Sequence, residues 1–155
     1  MSRAINLDAA AWVTQLSKRT LWRRLSDGQI TRQDNDDEGR TMITFEDIVP
    51  MLCIPVAPQD YDLIVEAAAG DAEAQNNVAL LFLDADKPDL GLHWLTLAAD
   101  QGHPDAMHHL SKLYIQGSGT PKNDSLGLMW LAKAASLGHM IAGEQITALT
   151  RLRKA

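Results

Sequence analysis

One segment of this 155-residue chain occurs twice, and the spacing of the copies fixes what the chain can fold into. The run LHWLTLAADQGHPDAM from Leu92 is answered by LMWLAKAASLGHMIAG from Leu128, so Trp94 and Trp130, Ala99 and Ala135, Gly102 and Gly138, and His103 and His139 each stand 36 residues apart. Upstream, Ala67, Gly70 and Ala74 match Ala99, Gly102 and Ala106 at a spacing of 32. A period of this size with small residues in register is that of stacked helical hairpins, each burying its apolar face only against its neighbours. The four-residue difference falls in a loop, because GSGTP after Gln116 has no counterpart after Phe82, and loops are where length changes are tolerated. Paired helices are therefore expected over about 60–70, 71–84, 89–101, 104–116, 123–137 and 140–153.

Within each copy the residue types are those of packing. Ala98-Ala99 and Ala134-Ala135 let helix backbones approach closely, and Trp94 and Trp130 are expected in the core. Gly102 and Gly138 suit left-handed helix caps, and Pro104 suits the first turn of the helix that follows. The set Ala106, Leu110, Tyr114, Gly117, Gly119, Trp130, Ala134, Ala135, Gly138 and His139 resembles the Sel1-like repeat, a relative of the tetratricopeptide repeat. Ala74, Val78, Phe82, Trp94, Ala98, Ala99, Gly102 and His103 repeat the match one unit earlier. The resemblance implies an α/α solenoid over residues 60–155, with about two full repeats and flanking half-repeats, that binds a protein or peptide. Gly91 and Gly127 depart from it, standing where alanine is usual at a cost of about 1 kcal/mol each in a helix interior. Thr150 at the tyrosine position suits a terminal repeat with a wetter outer face. On the first helix of each pair, Asn76, His108 and Glu144, then Asn77, His109 and Gln145, are equivalent positions expected to be exposed and to meet a partner.

Residues 1–52 have no copy of the repeat. A short helix from Leu7 is followed by one that Ser17 can cap, with Leu21 and Leu25 on one face, Arg19 and Arg23 opposite, and Arg24 at the edge. Gly28 ends it, and an extended segment at 30–32 and another at 40–43 flank the polar tip DNDDEG. Thr44 is placed to cap a third helix. LSKRTLWRRLSDGQI followed by GRTMITFEDIVPML resembles the excisionase and MerR-type winged helix-turn-helix domains. That resemblance implies DNA contacts from Ser17, Lys18, Arg19, Thr20, Arg23, Arg24, Arg32 and Arg40. Asp34, Asp36, Asp37 and Glu38 at the tip would repel a polyanion, so the alternative is a winged helix that docks a protein. The tip also matches early positions of a calcium loop, but Phe45 falls where the bidentate glutamate belongs. Pro55 and Pro58 mark 53–59 as a linker.

Charge and composition bound the remaining classes. Residues 1–57 hold seven basic and eight acidic side chains, and residues 58–155 hold seven and twelve. On that division the repeats should repel nucleic acid, leaving the front third of the chain or the closing RLRKA as its contact. Cys53 is the single cysteine, which fits a reducing compartment and excludes a disulfide framework. No apolar run suits a secretory signal or a span, so a cytoplasmic location is expected. No phosphate-cradling loop, nucleophile–base pair or metal-ligand spacing is present, so no cofactor, metal or catalytic site is expected. The expectation is a mostly α, non-enzymatic adaptor or regulator of bacterial type, binding protein through its repeats and DNA through its winged helix. The alternative is a scaffold for protein contacts alone.

Overall fold

The computed structural model describes residues 2–154, which form two compact units meeting between Asp71 and Ala72. The first begins with β1 (Ala4–Asn6), α1 (Leu7–Thr14) and α2 (Lys18–Ser26), followed by β2 (Arg32–Gln33), β3 (Met42–Thr44), α3 (Phe45–Ile48) and α4 (Tyr61–Ala68). Its sheet is antiparallel in the order β1-β3-β2, with Ile5 opposite Ile43 and Arg32 opposite Ile43 from the other side. Ile5, Val13, Leu21, Ile30, Ile43, Phe45 and Ile48 form the core beneath it. Asn6 caps α1 by accepting from the Ala9 amide at 2.8 Å, and Ser17 caps α2 by accepting from the Thr20 amide at 3.1 Å. Thr44 stands at the start of α3 without capping it, since its Oγ1 accepts from Gln33 Nε2 at 2.9 Å. The opening strand was not expected: three residues are too few to show an alternation.

The expected linker is part of this unit. The Cys53 amide donates to Val13 O at 3.1 Å and Ile54 is buried. Two short 3-10 turns at Val49–Met51 and Pro58–Asp60 carry the chain to α4. Helix α4 then closes on the sheet. Asn6 Nδ2 donates to Ala68 O at 2.9 Å, Tyr61 meets Phe45 edge to face at 5.5 Å, and Arg3 pairs with Asp62 and Glu46. The boundary thus lies at residue 71, beyond the expected 53–59, because a helix continuing the repeat pattern found its apolar surface on β1.

The second unit holds α5 (Ala72–Asp84), α6 (Pro88–Asp100), α7 (Pro104–Gln116), α8 (Asp124–Ser136) and α9 (Met140–Lys154), close to the expected ranges. Helices α5 and α6 form one hairpin, α7 and α8 the next, and α9 packs on α8. The same cap ends α4, α6 and α8. Gly70, Gly102 and Gly138 adopt φ of 110°, 88° and 88°, and their amides donate to Ala67, Ala99 and Ala135. The degenerate third copy is therefore real at the level of the cap, although its helix belongs to the first unit.

Packing explains both departures at glycine. A Cβ on Gly91 would lie 2.7 Å from Leu83 Cδ2, and one on Gly127 would lie 2.6 Å from Ile115 Cγ1 and 3.0 Å from Ser111 O. The hairpin helices approach so closely there that a methyl group would force the facing Leu83 or Ile115 to shift. Gly119 is constrained differently. It has φ 73°, and a Cβ would sit 2.5 Å from the Pro88 carbonyl carbon, so the inserted loop runs against the start of α6. Trp94 is fully buried, as expected, but Trp130 is only half-buried and stacks under Lys133 Nζ at 5.0 Å. Among the described residues α8 is the last helix of its row, so Trp130 lacks the cover that later helices give Trp94.

Candidate protein-binding surface

Two residues recur at each junction between hairpins. His103 caps α7 by accepting at Nδ1 from the Ala106 amide at 3.2 Å, while its Nε2 meets Glu73 on α5 at 2.6 Å. His139 does the same for α9, accepting from the Ala142 amide at 3.1 Å and meeting Asp105 on α7 at 3.0 Å. The Gly-His pair therefore ends one helix, starts the next and tethers it to the first helix of the preceding hairpin. Gln101 Nε2 adds a bond to Gln75 Oε1 at 2.8 Å at the earlier junction. At the later one, His108 stacks on His139 at 4.5 Å and meets Gln145 Oε1 at 3.1 Å.

These contacts sort the six residues expected to meet a partner. Asn76 and His108 are each 4% exposed, not free as expected, because their arc of the helix faces the next first-helix in the row. Burial lowers the His108 pKa, disfavouring the charged ring. Asn76 Oδ1 and Trp94 Nε1 are buried with no hydrogen-bond partner. Glu144 occupies the same arc on α9 and is exposed, beside Met140, Thr147 and Arg151, since no described helix follows α9. Asn77 and His109, half-buried, and Gln145, exposed, form the row that faces outward. Only that second row belongs to an accessible face of α5, α7 and α9.

Three residues further along, the same face opens into a crevice of about 580 Å³ lined by the C-terminal halves of α7 and α9 and by Asp124, Leu128 and Leu131 of α8. Its walls are Ile115, Leu128, Leu131, Ala148, Leu149 and Leu152, and Lys112, Gln116, Asp124 and Gln145 supply polar groups. The preceding repeat shows what is different here. Leu113, one repeat before Leu149, is 6% exposed, whereas Leu149 is 45% and Leu152 74% exposed. The histidine contacts tie α9 to α7 only at their N-terminal halves. The crevice was not expected from sequence. Leu149 and Leu152 stay exposed because, among the described residues, no helix follows α9 to pair with it as α8 pairs with α7.

In the first unit the eight residues expected at DNA divide into engaged and free. Ser17 Oγ caps α2 and also bonds Thr20 Oγ1 at 2.9 Å. Lys18 pairs with Asp8, and Arg24 Nη1 lies 3.2 Å from Met51 Sδ. Arg40 is held in the tip, its Nε 2.6 Å from Asp36 Oδ2 and 3.4 Å from Glu38 Oε2. Asp36 Oδ1 accepts from the amides of Glu38 and Arg40, closing the loop on itself. Partial burial works against its charge, but these amides and the Arg40 guanidinium hold the Asp36 carboxyl below the usual range. Arg32 is exposed and lies 3.4 Å from Asn35 Oδ1. Arg19 and Arg23 are exposed, with no ion pair among the described residues. The new boundary also moves charge. Residues 1–71 hold seven basic and twelve acidic side chains, and residues 72–155 seven and eight. The acidic surplus thus lies on the unit that carries the arginines, the reverse of the sequence expectation.

Among the described residues no three His, Cys, Asp or Glu side chains converge to hold a metal ion, and no helix is long and apolar enough to cross a membrane.

Residues 72–103 and 104–139 match the family model of the Sel1 repeat. Each matched segment is one hairpin closed by its Gly-His pair. A solved structure, that of a Sel1 repeat protein from Oxalobacter formigenes, is similar over 57% of this chain at 28% identity with a TM-score of 0.54. The present chain spans 38% of that protein's length. None of the curated proteins compared matches it.

Proposed function

We propose that this protein is a non-enzymatic adaptor whose repeat unit takes a protein segment in the crevice of α7, α8 and α9, since residues 72–139 match two copies of the Sel1 repeat, a module that generally mediates contacts between proteins. The observation that carries the reading is the apolar wall itself. Leu149 and Leu152 lie open beside Ile115 and Leu128, and exposed apolar surface lining a recess marks an interaction site. An apolar side chain of the partner fills the crevice, while Lys112, Gln116, Asp124 and Gln145 fix its orientation. Asn77 and His109 extend the contact along the same face.

The N-terminal unit is read as a second docking module. A DNA-binding regulator is the other reading, and Arg19 and Arg23 on the exposed side of α2, with no ion pair among the described residues, favour it. Against it stand the acidic surplus of residues 1–71 and the engagement of Lys18, Arg24 and Arg40. Non-specific DNA affinity comes almost wholly from neutralised phosphates, so the docking of a protein is the better-supported reading.

A photo-reactive side chain placed at Gln145, and as a control at Ser136, tests the crevice in native cells. The expected result is a discrete cross-linked product from position 145 that disappears with Leu149→Asp and is absent from position 136. Equal products from both positions, or a product from 145 that Leu149→Asp leaves unchanged, would refute it.

A further inference from the structure

The exposed arc of α2 carries a constellation that neither the fold nor the repeats use. Arg19, Trp22, Arg23 and Ser26 follow the spacing i, i+3, i+4, i+7 and are all exposed, while Leu21 on the opposite side is fully buried. Trp22 is 41% exposed. Leu21 and Ile30 already fill the core of this unit, so the indole is not needed there. We infer that this arc docks an acidic helical segment of a partner protein, with two carboxylates one turn apart against Arg19 and Arg23 and an apolar side chain between them on Trp22. The inference rests on reading the N-terminal unit as a protein-docking module and names the chemistry of its partner.

Charge complementarity selects that occupant. Lys18 is paired with Asp8, and Arg24 is half-buried against the neutral Met51 Sδ, which leaves its charge uncompensated but turned from solvent. The exposed, unpaired positive charge of α2 among the described residues is therefore concentrated on the two guanidinia flanking Trp22. Side chains four apart on a helix lie about 5–6 Å apart at Cβ, which glutamates at i and i+4 of a facing helix reproduce. A leucine at i+3 of that helix mirrors Trp22, which stands three residues after Arg19. Arginine and tryptophan are the residues most enriched among those that dominate binding energy at interfaces. A short acidic segment meets only this local charge. A duplex presents a charge about every 1.7 Å over a long surface and meets a unit with seven basic and twelve acidic side chains. Asp34 and Asp37 there are exposed and carry no ion pair among the described residues.

The test uses a fluorescein-labelled peptide of repeated Glu-Ala-Ala-Leu-Glu blocks, titrated with the full chain and followed by anisotropy. Saturable binding is expected, at least about tenfold weaker for the peptide with glutamine in place of glutamate. Arg19→Ala/Arg23→Ala and Trp22→Ala are each expected to weaken binding by about tenfold or more, with unchanged circular dichroism because the three side chains are exposed. No binding of the acidic peptide, or binding indifferent to these variants, overturns the inference and leaves the protein-docking reading standing. A mixed-sequence duplex that binds with a salt slope of about −0.9 per neutralised phosphate, and is lost with Arg19→Ala/Arg23→Ala, overturns both.

Discussion

Gly127→Ala separates packing from helix propensity. In an exposed helix interior, replacing glycine by alanine stabilises by about 1 kcal/mol. Here the added methyl would lie 2.6 Å from Ile115 Cγ1, 3.3 Å from its Cδ1 and 3.0 Å from Ser111 O. Two of those atoms cannot yield easily. Cγ1 is the inner atom of a β-branched chain held in one rotamer on a helix, and the carbonyl belongs to the ladder of α7. Overpacking of this kind costs about 1–3 kcal/mol, so a net loss of about 1–2 kcal/mol is expected. In an Ile115→Ala background the side-chain obstruction is removed while the Ser111 carbonyl stays 3.0 Å away, so the same substitution should be close to neutral. The double-mutant cycle in urea, followed by far-ultraviolet circular dichroism, should therefore show a coupling of about 1–2 kcal/mol. The equivalent Gly91→Ala should be close to neutral. Its nearest obstacles are Cδ2 and Cγ of the unbranched-at-Cβ Leu83, at 2.7 and 2.9 Å, which can shift together by a rotamer adjustment, with the Ala79 carbonyl further off at 3.4 Å. A stabilising Gly127→Ala in the wild type, or a coupling below about 0.5 kcal/mol, would refute the reasoning.

The two tryptophans of the repeat should differ: Trp94→Ala is expected to cost about 3–5 kcal/mol and Trp130→Ala less than half of that in the same melts, since only Trp94 is fully buried. Burial lowers the pKa of His93 to about 4 and lowers those of His108 and His109 as well. The unfolded chain thus binds protons near pH 6.5 that the folded repeats refuse, so stability is full above that pH and is lost as pH falls towards 4. Urea midpoints at pH 7.5, 6 and 5 should fall in that order, and less so for His93→Gln. A chain beginning at Ala72 should remain helical and monodisperse, whereas one beginning at Val56 should associate in light scattering, because it bares the buried Ile64, Ala67 and Ala68 face of α4.

The sequence by itself determined the repeat and its helices. A period of 36, two Gly-His caps and the register of Ala, Leu and Trp place every helix of residues 72–154 within about two residues, because helix phase, caps and stops are local properties of the chain. The inward and outward rows were harder. Asn76 and Asn77 are adjacent and chemically alike, and only the position of the neighbouring first-helix decides that one is buried and the other open. Tertiary structure alone placed α4 on the N-terminal sheet, through contacts such as Asn6 to Ala68 that span 62 residues. That placement moved the boundary and with it the acidic surplus. It also showed which arginines are free, since the partners of Arg24 and Lys18 lie 27 and 10 residues away. The crevice depends on how α7, α8 and α9 pack together, and the glycines at 91 and 127 depend on closeness between paired helices. Distances between helix axes are set by every side chain packed between them, so no single stretch of sequence encodes them.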